Sequence, residues 1–297
     1  MRLLSLLPAA TDIVTALGCA PALVGVTHAC DAEAAVPRVT ASAVDAAAEA
    51  GVVDAAVREL SDGGRPLFVL DERRIAALAP DVVLTQRLCD VCAVSERDVR
   101  ALAGRLVPSP RVVTLAGATL DGIWDDVAAV AGTLGAAERG RAMVEEARGR
   151  LRRVHETLKA ARAPRPRVAV VEWTDPVFLA GHWGPDLVRR AGGVDVLGTV
   201  GAHSTTVALE ALAAADPEVV LVAPCGYDLA HAAAEGCALL ADARWAWLGG
   251  RAVWALDANA FLSRPGPRLV DGVELFARLL HPALFGAPDA ASAVRLA

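Results

Sequence analysis

The sequence predicts an α/β protein of two lobes, each built on a mostly parallel sheet, with a long helical segment joining them. Three observations predict it. Short apolar runs alternate with stretches of helical period from residue 3 to 115, and the alternation restarts from 167 to 280. Strands separated by helices are the mark of parallel β–α units. Between these regions, residues 120–162 keep a helical apolar period with no strand signal. At 297 residues, the chain is long enough to bury a core in each of two lobes.

Taken in order, Leu3–Leu7 is the first strand, followed by a helix over 11–17 that Thr11 or Asp12 caps and Gly18 ends. Leu23–Thr27 is the second strand and runs into His28, Cys30 and Asp31. Residues 32–50 are alanine-rich and ambiguous, whereas 51–60 and 73–78 are helical. Asp81–Thr85 is a buried strand, Ser95–Gly104 a helix capped by Ser95, and Val112–Leu115 a short strand.

In the joining segment Ile123, Val127, Val130 and Leu134 form one helical stripe; Val144, Ala147, Leu151, Val154 and Leu158 form a second. A break near Gly135 is expected, and Ala163-Pro-Arg-Pro166 stops the helix. Beyond it, Arg167–Glu172, Glu218–Ala223 and Ala252–Leu256 are strands, while Pro185–Ala191, Leu209–Ala215 and Arg268–Leu280 are helices. The division is therefore 1–119 for the first lobe, 120–163 for the linking helical segment and 164–297 for the second lobe.

Composition narrows the class. The chain is 55% hydrophobic, mostly through alanine, and no run reaches the ~18 apolar residues of a membrane span. Net charge is −6, Lys159 is the only lysine, and no basic run is interleaved with aromatics, so nucleic acid is not an expected partner. The first twenty residues have the outline of a lipoprotein leader ending at Cys19, but they carry a single Arg, Pro8 and Asp12. A charge inside an apolar leader core is disfavoured, so the segment reads as strand and helix. Cytoplasmic residence is the expectation, with periplasmic or Cys19-anchored export as the alternative. Six cysteines are too few for a disulfide scaffold.

In open α/β sheets ligands bind beyond the carboxyl ends of the strands. Those positions hold Pro8, Thr11, His28, Cys30, Gln86, Cys89 and Cys92 in the first lobe. In the second they hold Trp173, His182, Trp183, Cys225 and Tyr227, then Asn259, Phe261, Arg264 and Arg268. The Cys89/Cys92 pair can be a redox dithiol, half of a metal site, or two small core side chains. With Cys30 and Cys225 it offers thiolates suited to zinc, copper(I) or an iron–sulfur cluster. Trp173, Trp183 and Tyr227 are either core or flat surfaces for a flat ligand, since they lie in Gly- and Pro-rich loops. His182 is either an axial metal ligand or a hydrogen-bond donor to the ligand's edge, and Arg264 and Arg268 suit an acidic ligand group. No nucleophile elbow, P-loop or dinucleotide turn is present, so enzyme activity is not expected.

Several of these stretches resemble one family. They are SLLPAATDIVTALG with LVGVTHACD, RIAALAPDVVLTQ, FLAGHWGPDLVRRAGG, ADPEVVLVAPCG and GGRAVWALDANAF…RPGPRLVDG, spread over almost the whole chain. The resemblance is to the helical-backbone metal receptor superfamily, the substrate-binding proteins for vitamin B12, ferric siderophores and haem, and most to its vitamin B12-binding branch. It implies two lobes joined by a rigid helix, with a largely preformed interlobe cleft holding a corrinoid through aromatic and apolar contacts. Pro8, His28, Gln86, Trp173, Trp183 and Asn259 map to that cleft. If exported, such a protein would serve an ABC transporter permease. The chain departs from the family in lacking an evident export signal and in carrying the cysteine cluster. The expected function is therefore binding of a corrinoid (cobalamin-like) or related metal chelate. The alternative is a cytosolic, redox-active metalloprotein that binds a metal ion or iron–sulfur cluster through Cys30, Cys89, Cys92 and Cys225.

Overall fold

The computed structural model describes residues 1–31, 35–45, 48–88 and 93–297. The expectation for Cys89 and Cys92 therefore lies outside the described residues. The chain divides into two compact units. Met1–Ala47, Ala55–Gly117 and Asp121–Val144 form the first; Ala48–Asp54, Ala118–Leu120 and Glu145–Ala297 form the second.

The chain opens with β1 (Leu3–Ser5), α1 (Pro8–Ala16), β2 (Leu23–Val26), β3 (Thr40–Ser42), α2 (Ala50–Asp62) and β4 (Phe68–Leu70). It continues through α3 (Glu72–Leu78), β5 (Val82–Gln86), α4 (Glu96–Arg105), β6 (Arg111–Leu115), α5 (Leu120–Thr133) and α6 (Ala137–Ala161). The sheet of the first unit has the order β2-β1-β5-β6, with every neighbour parallel. Chain order reverses across β1, which gives a topological switch point at its carboxyl end. Leu3 and Leu4 are both fully buried, because β1 is covered on both faces and so is apolar at successive positions rather than alternating. Leu4, Leu6, Val39, Ile75, Val83, Val94, Val99 and Leu102 form the core on one face. A separate antiparallel pair, β3–β4, arises from a region with no legible period.

Local chemistry sets the helix ends. Asp71 accepts from the Arg74 amide at 3.0 Å, and Ser95 accepts from that of Asp98 at 3.2 Å. The expected cap of α1 is corrected: the helix begins at Pro8, no side chain caps it, and Thr11 sits inside its first turns. Proline at the first helical position needs no amide partner and has its φ preset, so the helix starts three residues before the hydroxyl that suggested a cap. The break between α5 and α6 comes at Gly135, whose φ of +67° suits glycine.

The second unit continues with β7 (Arg167–Thr174), β8 (Val177–Leu179), α7 (Gly184–Arg190), β9 (Val194–Asp195), β10 (Thr205–Thr206), α8 (Leu209–Ala214) and β11 (Val219–Val222). Then come α9 (Leu229–Ala241), β12 (Ala252–Leu256), α10 (Ala258–Phe261), α11 (Leu269–Leu280), α12 (Pro282–Phe285) and β13 (Ala293–Arg295). The sheet order is β10-β8-β7-β11-β12-β13, with β9 also pairing to β7. The central β7, β11 and β12 are parallel, and antiparallel strands flank them. The parallel strands are again near-continuous apolar runs, with Val168–Val171 and Val220–Val222 at most 1% exposed. The helix α9 escapes sequence reading because its buried residues are the small Ala232 and Gly236 with Leu239, which leave little apolar contrast.

Candidate functional site

Both sheets place their chemistry at strand ends, and each unit is described separately. In the first, Pro8 opens α1 directly after β1 and is half-buried. Thr11 is buried; its hydroxyl donates to Ser5 Oγ at 2.8 Å and lies 3.0 Å from Cys30 Sγ. Cys30 therefore packs in a hydroxyl–thiol cluster behind β1. His28 follows β2; its backbone N–H donates to Thr40 Oγ1 at 2.9 Å, and its Nδ1 lies 2.7 Å from the same oxygen. Its ring lies 5.8 Å from that of Phe68. Burial holds the His28 pKa below its ordinary value, which favours the neutral ring. Gln86 ends β5, is buried, and accepts the Leu88 amide with its side-chain oxygen.

In the second unit, β7 ends in Glu172, Trp173 and Thr174. Trp173 donates its indole N–H to Ala50 O at 3.2 Å and meets Tyr227 edge-on at 5.5 Å. Tyr227, buried after β11, donates its hydroxyl to Ala48 O at 2.9 Å. Residues 48–50, ambiguous in sequence, are thus bound to this aromatic pair. Asn259 donates its side-chain amide to Gly226 O at 2.7 Å, which ties the loop after β12 to the loop after β11. Phe261 ends α10 half-buried, Arg264 is buried, and Arg268 precedes α11.

The turn after β8 is the most constrained. A Cβ on Gly181 would sit 2.3 Å from the Ser204 backbone nitrogen, so only glycine allows these loops to meet. His182 follows at φ +50°, a left-handed conformation uncommon outside glycine. It is held there by two backbone bonds, His182 N–H to Ala202 O at 2.5 Å and Gly201 N–H to His182 O at 2.8 Å. Its ring lies 5.6 Å from Trp183 and 5.1 Å from His203. Trp183 donates its indole N–H to Leu262 O at 2.7 Å. His182 Nε2 is buried with no hydrogen-bond partner among the described residues. Burial, assisted by the nearby His203, lowers the His182 pKa and favours the neutral ring at neutral pH.

Glu172, His203 and Ser204 belong to this region and were not singled out from the sequence. Ser204 donates to Glu172 Oε2 at 2.6 Å, and burial raises the Glu172 pKa. As the residue before Trp173 in β7, Glu172 was within reach of the strand-end rule. Nothing in the sequence pairs Ser204 with it. The Cys225 thiol is pushed up to about 12 by burial and by the Glu172 charge, so it keeps its proton at neutral pH. Among the described residues no three His, Cys, Asp or Glu side chains form a metal-ligand group.

The aromatic groups thus have their polar ends committed to backbone carbonyls. What remains for a partner is ring surface and the uncommitted nitrogen of His182. Two α/β units with this chemistry at strand ends define a ligand-binding protein. The chain belongs to the family described as Periplasmic binding protein, which matches residues 4–245; its members are ligand-binding transport proteins rather than enzymes. The fold is similar to a periplasmic heme-binding protein from Pseudomonas aeruginosa, with TM-score 0.67, 23% identity, and 95% of this chain and 93% of that one covered. It is similar to the periplasmic vitamin B12 binding protein BtuF of Vibrio cholerae, with TM-score 0.65, 23% identity and coverage of 95% and 97%. An ABC transporter substrate-binding protein from Listeria monocytogenes shares it too, with TM-score 0.70, 17% identity and coverage of 94% and 98%. No curated protein matches the chain. The family does not support the expected cytoplasmic residence, and the periplasmic alternative fits it. No helix among the described residues is long and apolar enough to cross a membrane.

Proposed function

We propose that the chain is the substrate-binding component of an ABC transporter and that its substrate is a corrinoid. The observation that carries this reading is His182. A neutral, buried imidazole nitrogen without a partner, beside the ring of Trp183, suits a flat metal chelate that offers ring area and a polar edge or metal centre. A corrinoid is favoured over haem by charge. In the strand-end segments of the second unit, Glu172, Asp175, Asp228 and Asp257 outnumber Arg264 and Arg268, a balance that suits the neutral amide edge of a corrinoid better than two propionates. Trp173, Phe261 and Arg264 are further proposed contacts, as are Pro8, His28 and Gln86 of the first unit. Thr11, Tyr227 and Asn259 hold the loops in place.

The test is calorimetry and tryptophan fluorescence with cobinamide, cobalamin and haem in parallel. One cobinamide or cobalamin per chain with quenched fluorescence is expected, and Trp173→Ala should weaken binding by about two- to tenfold, the range of a lost aromatic contact. Binding of haem alone would reassign the substrate. No binding of any of the three at high micromolar concentration would overturn the reading.

A further inference from the structure

The second half of α6 carries Arg148, Arg152, His155 and Lys159, at steps of four, three and four residues, and Arg162 follows just past its end at φ +48°. The spacing of those four returns to one face of the helix, so their side chains form a single stripe that Arg162 extends beyond the helix end. They line one wall of a groove of about 710 Å³, with Leu151, Leu158 and Gly192 also among its lining residues. Arg165, before β7, and Arg189 and Arg190, at the end of α7, complete its rim. The lone lysine of an acidic chain thus lies among six arginines around one recess.

No acidic side chain lines the groove among the described residues. The nearest compensation is partial. Buried Asp186 accepts from Arg189 at 2.5 Å and Arg190 at 3.2 Å, Glu145 lies 3.7 Å from Arg148, and Arg165 donates to Gly193 O at 2.8 Å. Arg152, Lys159 and Arg162 form no ion pair among the described residues. Cations near helix carboxyl ends are favoured by the helix dipole, which accounts for Lys159, Arg162, Arg189 and Arg190. That effect fades within the last turn, so it does not reach Arg148 or Arg152. Like charges one helical turn apart repel, and the stripe keeps them together.

We propose that this groove binds a soluble, phosphate-rich anion of small-molecule size, such as a polyphosphorylated metabolite or a short polyphosphate. Guanidinium groups match phosphate oxygens two at a time, and the groove falls in the volume range of small-molecule sites. It lies by the start of β7 and the strand-end site lies by its end, roughly 25 Å away at the rise of an extended strand. Among the described residues no Phe, Tyr or Trp lines it for stacking bases, and a recess keeps its walls from a flat bilayer.

The experiment titrates the full chain with inorganic tripolyphosphate at low ionic strength by calorimetry. One site per chain is expected, weakening as salt is raised. Arg152→Ala with Lys159→Ala should weaken it about tenfold, as loss of two charge-assisted contacts. Both residues are exposed, so the fold, checked by circular dichroism, should be unchanged. Arg73→Ala with Arg97→Ala, on the first unit, removes equal charge and should leave binding intact. Equal loss in both double variants, no binding at millimolar tripolyphosphate, or binding only to phosphatidylglycerol vesicles would overturn the proposal. Cobinamide titration of the same variants keeps the result separate from the strand-end site.

Discussion

His182 concentrates the chemistry of the second unit in one ring. Its backbone is held left-handed by bonds to residues 201 and 202, and its Nε2 is buried without a partner. Because burial lowers its pKa, the ring is neutral at pH 7 and takes a proton only below the ordinary histidine value of about 6.5. A neutral ring offers a lone pair and an N–H, whereas the protonated ring offers only donors. Cobinamide affinity should therefore stay level from pH 8 to about 6.5 and fall below that. His182→Phe should bind more weakly and lose this step. An unchanged pH profile in the variant would remove His182 from the site and leave His28, the strand-end histidine of the first unit whose pKa burial also lowers, to explain it.

Among the elements, β1 and α1 carry the most consequence for their length. β1 pairs with β2 on one edge and β5 on the other. Leu3, Leu4, Ile13, Val14 and Leu17 are fully buried. Truncating one such side chain to alanine costs about 2–5 kcal/mol, and a folded domain holds only about 5–15 kcal/mol in total. A chain beginning at residue 20 should therefore be insoluble or unfolded by circular dichroism. Processing at Cys19 would remove the same two elements. Soluble, folded protein lacking residues 1–19 would show that the sheet tolerates loss of an interior strand.

Across the whole molecule, burial shifts two sets of groups in opposite directions. His28, His182 and His281 are held below their ordinary pKa, so the unfolded chain takes up protons first as pH falls. Their contribution is present above about pH 6.5 and is lost as pH falls toward the folded-state values. Asp126, Glu172 and Asp195 are raised by burial. Their effect opposes folding at neutral pH and is relieved only as they protonate, toward the ordinary carboxylate range near pH 4. Between pH 7.5 and 5.5 the histidines lie nearer their transition, so the urea midpoint should drop on acidification. An equal or higher midpoint at pH 5.5 would mean that the buried carboxylates outweigh them.

The elements were largely legible because their causes are local. Continuous apolar runs mark β1, β5, β7, β11 and β12, which lie inside their sheets, and Asp71 and Ser95 cap helices through amides three residues away. The two- and three-residue strands β8, β9 and β10 are too short to show a period. Strand-end residues could be named from the sequence, but not their company. Trp173 and Tyr227 are tied to residues 50 and 48 by bonds spanning 123 and 179 positions, and Gly181 meets Ser204 across a loop. The basic groove shows the same limit: its cations come at helical spacing on α6 and from two further segments, so no basic run appears in the chain. Apolar pattern and turn chemistry record whether a residue is buried and how its backbone bends. Which side chains share a site depends on hydrogen bonds and close approaches between distant segments, and these exist only once the sheet has brought the segments together.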